Sequence, residues 1–490
     1  MPERLSLALL AHPPAGVAVP RHDRADLRAG ILHVGVGNFH RAHMQVYLDR
    51  LFGLGRDHDW ALLGAGVKPG DAAMRDRLAA QDWLTTVVEL DPAGLSARIT
   101  GAMVGFVPVD PQATIAAMAD PAIRIVSLTV TEGGYFVDAT TDGFDARHPE
   151  IAADAAHPDA PRTVFGMILA ALRARRTAGI PPFTVLSCDN LPGNGHAAAR
   201  TVTGLARLSD PALADWVAAN VAFPNSMVDC ITPATTDRER ALVAGRFGIE
   251  DAAPVICEPF RQWVLEDRFP QGRPALEEVG VEFVADVVPY ELMKLRILNG
   301  GHAAIAYPGA LLGHHFVHEA MADPRITRWL DRLTRREIEP TLAPIPGVSY
   351  DAYREQVAGR FANPEVGDTI ARLCLDGSNR QPKFILPTIR HALGHGLPVA
   401  GLALEVALWC RYCAGTDEAG NAIPPNDGNA ADLKARALAA RDDPGAFLSN
   451  RAVFGDLGGK ERFRAAFAAA LGQLWSQGTE AALAGYAAAE

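Results

Sequence analysis

The sequence predicts an α/β protein whose N-terminal part contains a parallel sheet and whose C-terminal part is mostly α-helical. Two observations predict this class. From residue 30 to about residue 190, short apolar runs typical of buried strands alternate with stretches of helical spacing. After about residue 285 the strand signals fade and long helical patterns replace them. The switch predicts two domains, residues 1–285 and 286–490.

The individual elements follow from hydrophobic periodicity and from turn-forming residues. The predicted strands are "ILHVGVG", "WALLGAGV", "IRIVSLTV" and "FTVLSCD", and the predicted helices between them are "RAHMQVYLDRLF", "AMRDRLAA" and "TVFGMILAALRARRTAG". In the second part, residues 289–307 read as one buried helix, and further helices follow in "ITRWLDRLTRREIEPTL", "GLALEVALWCRYCAG" and "ERFRAAFAAALGQLW". The opening run "MPERLSLALL" predicts a short amphipathic helix ended by Pro13 and Pro14.

Composition excludes several functions. With 46 basic and 57 acidic residues the net charge is -11, which repels nucleic acid. No window approaches the ~20 apolar residues of a membrane span. The six cysteines are scattered through the chain, as in proteins of a reducing compartment, and the lone C-x-x-C of Cys410 and Cys413 is weak evidence for a metal. We therefore expect a cytoplasmic protein without a metal ion.

A glycine turn follows the first long predicted strand. In "HVGVGNFHRAH", Gly35 and Gly37 end the strand and a helix begins directly after them. A turn of this kind lets backbone N–H groups approach a pyrophosphate. His40 stands where a third glycine is usual, so the motif fits either dinucleotide binding or a tight turn without a ligand.

The second predicted strand is followed by "KPGDAAMRD", which contains an acidic residue, Asp71. A carboxylate at this place binds the adenosine ribose of NAD, whereas Lys68 in the same loop favours the 2′-phosphate of NADP. Asp71 equally fits a simple helix cap. NAD is the preferred cofactor, with NADP left open.

The stretch "KLRILNGGH" places polar side chains in an apolar, glycine-rich helix. At about 100° per residue, Glu291, Lys294, Asn299 and His302 project to one side. A solvated polar stripe is the simpler interpretation. Against it, a lysine beside apolar walls suits a general base near neutral pH, and amide donors stabilise an oxygen that gains negative charge. The set suits metal-free oxidation of an alcohol by hydride transfer.

At this point the chain resembles a known family. The motifs "GVGNFHRAH", "SLTVTEGGY", "TVLSCDNLPGNG", "FPNSMVDCITP", "CEPFRQWVLEDRF" and Lys-x4-Asn-x2-His occur in the order and at the spacing of the polyol-specific long-chain dehydrogenases, over about residues 28 to 475. The resemblance implies an expanded Rossmann-type N-terminal domain, a mostly helical C-terminal domain, and a site in the cleft between them. It also implies an NAD-dependent, zinc-independent and usually monomeric enzyme, and the motifs are most similar to those of members that interconvert D-mannitol and D-fructose.

The resemblance assigns a role to each matching residue. Lys294 is expected to be the base, Asn190 and Asn299 to hold the reacting oxygen, and Glu291 to gate proton exchange with water. Substrate binding falls to His302, Asp229, Arg372 and Arg380, and cofactor binding to Gly35, Gly37, Asn38, Phe39, Asp71 and Glu132. For Asn190, Asp229 and the two arginines, ordinary structural or surface roles are the alternatives.

Two departures from the family pattern affect specificity. Arg380 stands where relatives often carry lysine, and Gly70 precedes Asp71 where relatives carry a second acid. A fructuronate reductase, or a D-arabinitol or D-sorbitol dehydrogenase, is therefore the alternative within the family. From another class, a non-catalytic dinucleotide-binding sensor is the alternative, although such a sensor has no use for a base beside the nicotinamide.

Overall fold

A computed structural model describes residues 2–138 and 143–488. The chain forms two compact units, Met1–Val288 and Pro289–Glu490. Within the described residues, no helix combines the length and the apolar character needed to cross a membrane.

All strands of the described residues lie in the first unit. They are β1 (Glu3–Arg4), β2 (Val17–Ala18), β3 (Ala29–Val34), β4 (Ala61–Ala65), β5 (Thr85–Glu89), β6 (Ser96–Thr100), β7 (Met103–Phe106), β8 (Ile125–Leu128), β9 (Thr184–Ser187), β10 (Ser226–Asp229), β11 (Ile249–Glu250), β12 (Val255–Cys257), β13 (Gln262–Glu266) and β14 (Glu282–Val284). The helices of this unit are α1 (Asn38–Ala42), α2 (Met44–Phe52), α3 (Pro69–Ala79), α4 (Pro111–Ala119), α5 (Pro149–Ala156), α6 (Val164–Ala178), α7 (Asn194–Ser209), α8 (Pro211–Asn220) and α9 (Asp237–Phe247).

The main sheet of the first unit is parallel and has the order β7-β4-β3-β8-β9. Its central strands are buried on both faces, which explains their continuous apolar sequences. One apolar cluster joins Leu32 and Val126 to Phe165, and a second cluster joins Ile31 and Leu62 to other residues of the unit. Smaller sheets have the orders β12-β5-β6-β2, β10-β13-β14 and β1-β11.

The second unit is helical in the residues that the structure describes. Its helices are α10 (Val288–Met293), α11 (Gly300–Leu311), α12 (Val317–Ala322), α13 (Pro324–Leu333), α14 (Tyr350–Phe361), α15 (Ile370–Leu373), α16 (Gly377–Phe384), α17 (Leu386–Gly394), α18 (Ala400–Cys413), α19 (Ala430–Ala439), α20 (Gly445–Leu448), α21 (Arg451–Phe454) and α22 (Glu461–Ala488). Helix α18 is buried from Gly401 to Cys413, which fits its nearly continuous apolar sequence. Two segments, Lys294–Asn299 and Thr334–Ile338, are π-helices.

The α/β class and the alternation of strands and helices are confirmed: β3, β4, β8 and β9 lie where strands were predicted, and α6 ends at Gly179 in the left-handed conformation. Two local predictions were wrong. The N-terminal run is not an amphipathic α-helix, because Glu3–Arg4 pairs with Ile249–Glu250 and only Leu9–Ala11 forms a 3-10 turn. Local periodicity carries no sign of a distant strand partner.

The second error concerns residues 289–307. In place of the single predicted α-helix, the structure has three consecutive segments: α10, a π-helix at Lys294–Asn299, and α11. Hydrogen bonds in a π-helix span five residues rather than four, and this wider turn is frequent at functional sites. An apolar pattern of a few residues does not distinguish the two spacings. The projection of the polar residues at about 100° each is therefore wrong across this segment.

Candidate active site

Four of the predicted site segments lie at one edge of the main sheet. Gly35 follows β3, Asp71 follows β4, Glu132 follows β8 and Asn190 follows β9. These strands are neighbours in the order β4-β3-β8-β9 and run parallel, so their carboxyl ends meet at the same edge. In open α/β sheets, ligands bind outside this edge. The main sheet therefore brings together four of the five segments predicted from the first unit, and Asp229 is the exception.

The glycine turn has the backbone that a dinucleotide loop requires. Gly35 has a φ of +96°, and a Cβ atom there would lie 2.2 Å from the carbonyl oxygen of Thr129. Thr129 Oγ1 donates to the Gly35 carbonyl at 2.6 Å. Gly37 is the N-cap of α1 and is exposed, and the nearest atom to a Cβ there would be 3.9 Å away. Gly35 is thus required by packing, whereas Gly37 leaves open space at a helix N-terminus, which is where a phosphate group binds.

Asn38 and Phe39, predicted to bind cofactor, begin helix α1. The Asn38 amide donates to the Pro233 carbonyl at 3.2 Å and to Thr235 Oγ1 at 2.9 Å. Its carbonyl oxygen accepts from Arg41 Nη2 at 2.7 Å. Phe39 stacks on His43 with ring centroids 4.8 Å apart. The Asn38 amide therefore fixes the start of α1 against residues 233 and 235, and the Phe39 stack spans the short helix itself.

Asp71 lies in the first turn of α3. One carboxylate oxygen accepts hydrogen bonds from the backbone N–H groups of Val67 and Lys68, both at 2.8 Å. The capping role considered from the sequence is therefore present. The Oδ1 atom of Asp71 takes no part in these two backbone hydrogen bonds. This is compatible with the predicted hydrogen bond between Asp71 and a ribose.

Glu132 and Asn190 are exposed at the carboxyl edge. The residue before Asn190, Asp189, is buried and bonds the segment that carries Glu132. Asp229 is buried and ends β10, which belongs to the three-stranded sheet rather than to the main one. The sequence pattern did not single out Asp189, although it stands inside a motif used to recognise the family.

The polar helix of the second unit carries three of the predicted catalytic residues near the π-helix. Lys294 begins this π-helix and is buried, with 8% of its surface exposed. Asn299 ends it, and the Asn299 Oδ1 atom is buried without a hydrogen-bond partner among the described residues. Glu291 is half-buried one turn earlier, in α10. A buried carbonyl oxygen without a partner is unusual, and it fits a ligand that supplies the missing donor.

His302, on α11, lies in a cationic environment. Burial lowers the pKa of His302 well below its usual value, and the charges of Arg372, Arg360 and Arg380 lower it further. The imidazole stacks on Phe361. The structure thus brings His302 close to both predicted arginines, and it adds Arg360 and Phe361, which no pattern in the sequence had indicated.

The two predicted arginines are held differently. Arg372 is half exposed and pairs with Asp368, which raises the pKa of the guanidinium. Arg380 Nη1 donates to the carbonyl oxygens of Leu373 at 2.8 Å and Arg372 at 3.3 Å. Burial lowers the pKa of Arg380. Since Arg380 is bonded to the backbone at the end of α15, its position depends on that helix and not on a carboxylate partner.

Metal ligation has no support in residues 2–138 and 143–488, where no three His, Cys, Asp or Glu side chains come together. Cys410 and Cys413 are buried in α18, and burial raises both thiol pKa values well above the usual range. Thiols in such surroundings are poor metal ligands because the thiolate is the ligating form.

The parallel sheet, the glycine turn at its carboxyl edge and the open helix N-terminus define a dinucleotide-binding Rossmann unit. Residues 29–278 match the mannitol dehydrogenase Rossmann domain, and residues 286–475 match the mannitol dehydrogenase C-terminal domain. The chain belongs to the mannitol dehydrogenase family.

Full-length relatives support the same assignment. The chain is 59% identical over 475 residues to mannitol 2-dehydrogenase of Cereibacter sphaeroides, covering 96% of this chain and 99% of the relative. It is 44% identical over 477 residues to mannitol 2-dehydrogenase of Phaeosphaeria nodorum, covering 96% and 84% of the two chains.

Two solved structures are similar over their whole length. The first is Pseudomonas fluorescens mannitol 2-dehydrogenase in a ternary complex with NAD and D-mannitol, with a TM-score of 0.86, 42% identity and 99% coverage of both chains. The second is D-sorbitol dehydrogenase in substrate-free form, with a TM-score of 0.90, 34% identity, and coverage of 98% of this chain and 100% of the other.

Proposed function

We propose that this protein is an NAD-dependent dehydrogenase that oxidises a secondary alcohol of D-mannitol to give D-fructose. The observation that carries the proposal is the 59% identity to a mannitol 2-dehydrogenase over nearly the whole chain. The similarity in fold to a mannitol 2-dehydrogenase that binds NAD and D-mannitol supports it. We assign cofactor binding to residues 1–285 and most of the substrate and proton chemistry to residues 286–490.

The cofactor assignment agrees with the site residues. The open N-terminus of α1 at Gly37 suits the pyrophosphate, and Asp71 suits the adenosine ribose. Glu132, at the end of β8, borders the same edge of the sheet. When bound, NAD supplies the hydride acceptor.

The proton chemistry falls to the chain's own residues. Lys294 removes the proton of the reacting hydroxyl group, and the amides of Asn190 and Asn299 stabilise the developing alkoxide. Lys294 is buried, with 8% of its surface exposed, so the proposed base is shielded from bulk water. Glu291, half-buried one turn away, passes the proton on to solvent.

Recognition of the polyol falls to His302, Asp229, Arg372 and Arg380. The neutral imidazole of His302 offers one donor and one acceptor to hydroxyl groups. The three guanidinium groups around His302 are also a suitable environment for a substrate carboxylate. For this reason the reduction of a hexuronate ketone is the second candidate function.

The test is the change in NADH absorbance with the purified protein. Mannitol, sorbitol, arabinitol and xylitol are oxidised with NAD and with NADP, and fructose and fructuronate are reduced with NADH and NADPH. We expect the highest kcat/KM with mannitol and NAD, and with fructose and NADH. Absence of polyol oxidation together with rapid fructuronate reduction would replace the proposal by the second candidate. Tight NADH binding without turnover of any of these compounds would instead favour a sensor.

We also propose that the protein acts as a monomer in the cytoplasm. All six cysteines are free and buried, as is usual in a reducing compartment. Sedimentation velocity across a range of protein concentrations and fractionation of the native host check these two statements. A concentration-independent dimer, or recovery outside the cytoplasm, would contradict them.

A further inference from the structure

The carboxylate of Asp189 joins the two strand ends that carry Glu132 and Asn190. Asp189 directly precedes Asn190 and has 8% of its surface exposed. Its Oδ1 atom accepts from the backbone N–H of Thr131 at 2.8 Å. Its Oδ2 atom accepts from the backbone N–H of Val130 at 3.0 Å and from the Tyr135 hydroxyl at 2.7 Å. All three donors lie in the segment that follows β8.

That segment has an unusual backbone. Thr131 has a φ of +69° and a ψ of 158°, a conformation that a β-branched residue adopts only under constraint. Such conformations persist where the surroundings determine them, and they cluster at functional sites. The amide of Thr131 and the amide before it both bond to Asp189, and Glu132 follows directly. The carboxylate of Asp189 therefore holds the constrained backbone that presents Glu132.

Asp189 is also connected to the strand that ends at Asp229. Its carbonyl oxygen accepts from Asn194 Nδ2 at 3.1 Å. The same amide donates to the Ser226 carbonyl at 2.8 Å, and Asn194 Oδ1 accepts from the Ser226 N–H at 3.0 Å. Ser226 is the first residue of β10, and Asn194 is fully buried. Asp189 thus stands at the junction of the segments that carry Glu132, Asn190 and Asp229.

We propose that Asp189 is a positioning residue, which sets the cofactor segment at Thr131 and Glu132 and the adjacent Asn190 in one fixed geometry for hydride transfer. The inference deepens the proposed function and rests on it for the roles of Glu132 and Asn190. Three donors converge on two oxygens of one carboxylate, an arrangement that an amide cannot reproduce, because its NH₂ group would face at least one donor.

The test compares Asp189→Asn with a matched control, Asp154→Asn. Asp154, on α5, is 3% exposed and has the same bonding pattern, since one oxygen accepts from the Arg162 N–H and the other from the Thr163 N–H and hydroxyl, at 2.7, 3.0 and 2.6 Å. Neither of the two residues that donate to Asp154, Arg162 and Thr163, is a proposed site residue. Both variants thus lose one acceptor of a buried carboxylate, but only one of them at the site.

Three quantities are measured for the parent and both variants: kcat and KM for mannitol and NAD, the Kd of NADH by fluorescence, and the thermal midpoint. For Asp189→Asn we expect kcat to fall and KM for NAD and the Kd of NADH to rise, with a loss in kcat/KM of about tenfold or more. Asp154→Asn should lower the thermal midpoint while its kinetic constants and NADH affinity stay within about twofold of the parent. The positioning role is wrong if both variants lose stability and neither changes in kinetics.

A third variant keeps the inference testable if Asp189→Asn does not fold. Tyr135→Phe removes one of the three donors and leaves the carboxylate and both backbone bonds in place. We expect a smaller rise, of about two- to fivefold, in KM for NAD and in the Kd of NADH. Unchanged values would count against the inference. If the parent oxidises no polyol, the proposed function fails, and the NADH affinities of the variants still decide the role of Asp189.

Discussion

The imidazole of His302 lies parallel to the ring of Phe361, with centroids 4.1 Å apart and an angle of 25° between the planes. Phe361 is the last residue of α14, and His302 lies in the first turn of α11. The stack fixes the plane of a side chain that we expect to bind substrate hydroxyl groups. An aromatic contact of this kind contributes about 0.5–1.5 kcal/mol beyond the buried area.

Replacing Phe361 by leucine should therefore weaken substrate binding. Leucine fills much of the space but offers no flat surface, so the imidazole gains freedom to rotate. We expect KM for mannitol to rise by about two- to tenfold, with KM for NAD unchanged. Steady-state kinetics with each substrate varied in turn measure this. An increase in KM for NAD of the same size would show a general disturbance of the unit instead.

His302 should remain neutral across the pH range in which the protein is active. Burial and three neighbouring guanidinium groups lower its pKa well below the usual value of 6.5. NMR of ring-labelled histidine should therefore show one resonance that does not shift between pH 5.5 and 8, and that resonance should be missing in His302→Gln. If the resonance assigned to His302 in this way titrated with a midpoint near pH 6.5, the prediction would be wrong.

Replacing Lys294 by alanine should reduce kcat by several orders of magnitude. The variant should retain the fold of the site but lack the proposed base, so we expect that the alkoxide does not form. We expect the Kd of NADH to stay within about threefold of the parent, because we assign cofactor binding to the other unit. Lys434→Ala, which removes an exposed lysine of α19, is the control. Turnover of Lys294→Ala at a tenth of the parent rate would exclude the lysine as the base.

The two glycines of the turn should respond differently to alanine. In Gly35→Ala the new methyl group lies 2.2 Å from the Thr129 carbonyl and the residue has a positive φ, so the variant should be strongly destabilised or insoluble. In Gly37→Ala the methyl group has room, and the variant should fold normally but bind NADH about tenfold less tightly. Thermal melts and NADH titrations separate the two effects. Unchanged NADH binding by Gly37→Ala would contradict the proposed pyrophosphate site.

The buried Glu405 should make the protein less stable at high pH. Burial raises its pKa from 4.5 to about 8. One oxygen accepts from Gln381 Nε2 at 2.7 Å, and the other has no partner among the described residues. An acid whose pKa is higher in the folded state holds its proton more tightly there, so its stabilising contribution is full below pH 4.5 and is lost as the pH rises to about 8.

The variant Glu405→Gln imitates the protonated side chain and should remove this loss. Compared with the parent, it should be more stable at pH 8.5, by roughly 1–3 kcal/mol after allowance for relaxation and water penetration, and nearly equal at pH 5. Chemical denaturation of both proteins at the two pH values provides the measurement. Equal stability of parent and variant at pH 8.5 would show that Glu405 is charged in the folded protein without cost.

Much of the fold was predictable because its signals are local. Strands β3, β4, β8 and β9 appear as short apolar runs, and Gly179 marks the end of α6. The strand at Glu3–Arg4 was not predictable, because its partner lies about 245 residues away and supplies the hydrogen bonds that a helix would have made internally. Asn38 stays a predicted cofactor residue, and the bonds of its amide to residues 233 and 235 could not be predicted because those residues are about 195 positions away.

The types of residue expected at the site could be predicted from the sequence. A lysine, an asparagine and a histidine within nine residues, a G-x-G turn after a strand, and the shared motifs were enough to indicate the family and the reaction class. These features depend on residue type and spacing along one segment, which the sequence states directly.

Only the tertiary structure decided how those residues are held. A π-turn at Lys294–Asn299 changes the face on which these two residues project. Burial, and then the charges of three arginines from residues 360 to 380, lower the pKa of His302. Asp189 joins strand ends that are about 60 residues apart. Each of these relationships depends on packing between distant segments. Periodicity and motif spacing describe neighbours along the chain, so contacts that arise from folding lie beyond them.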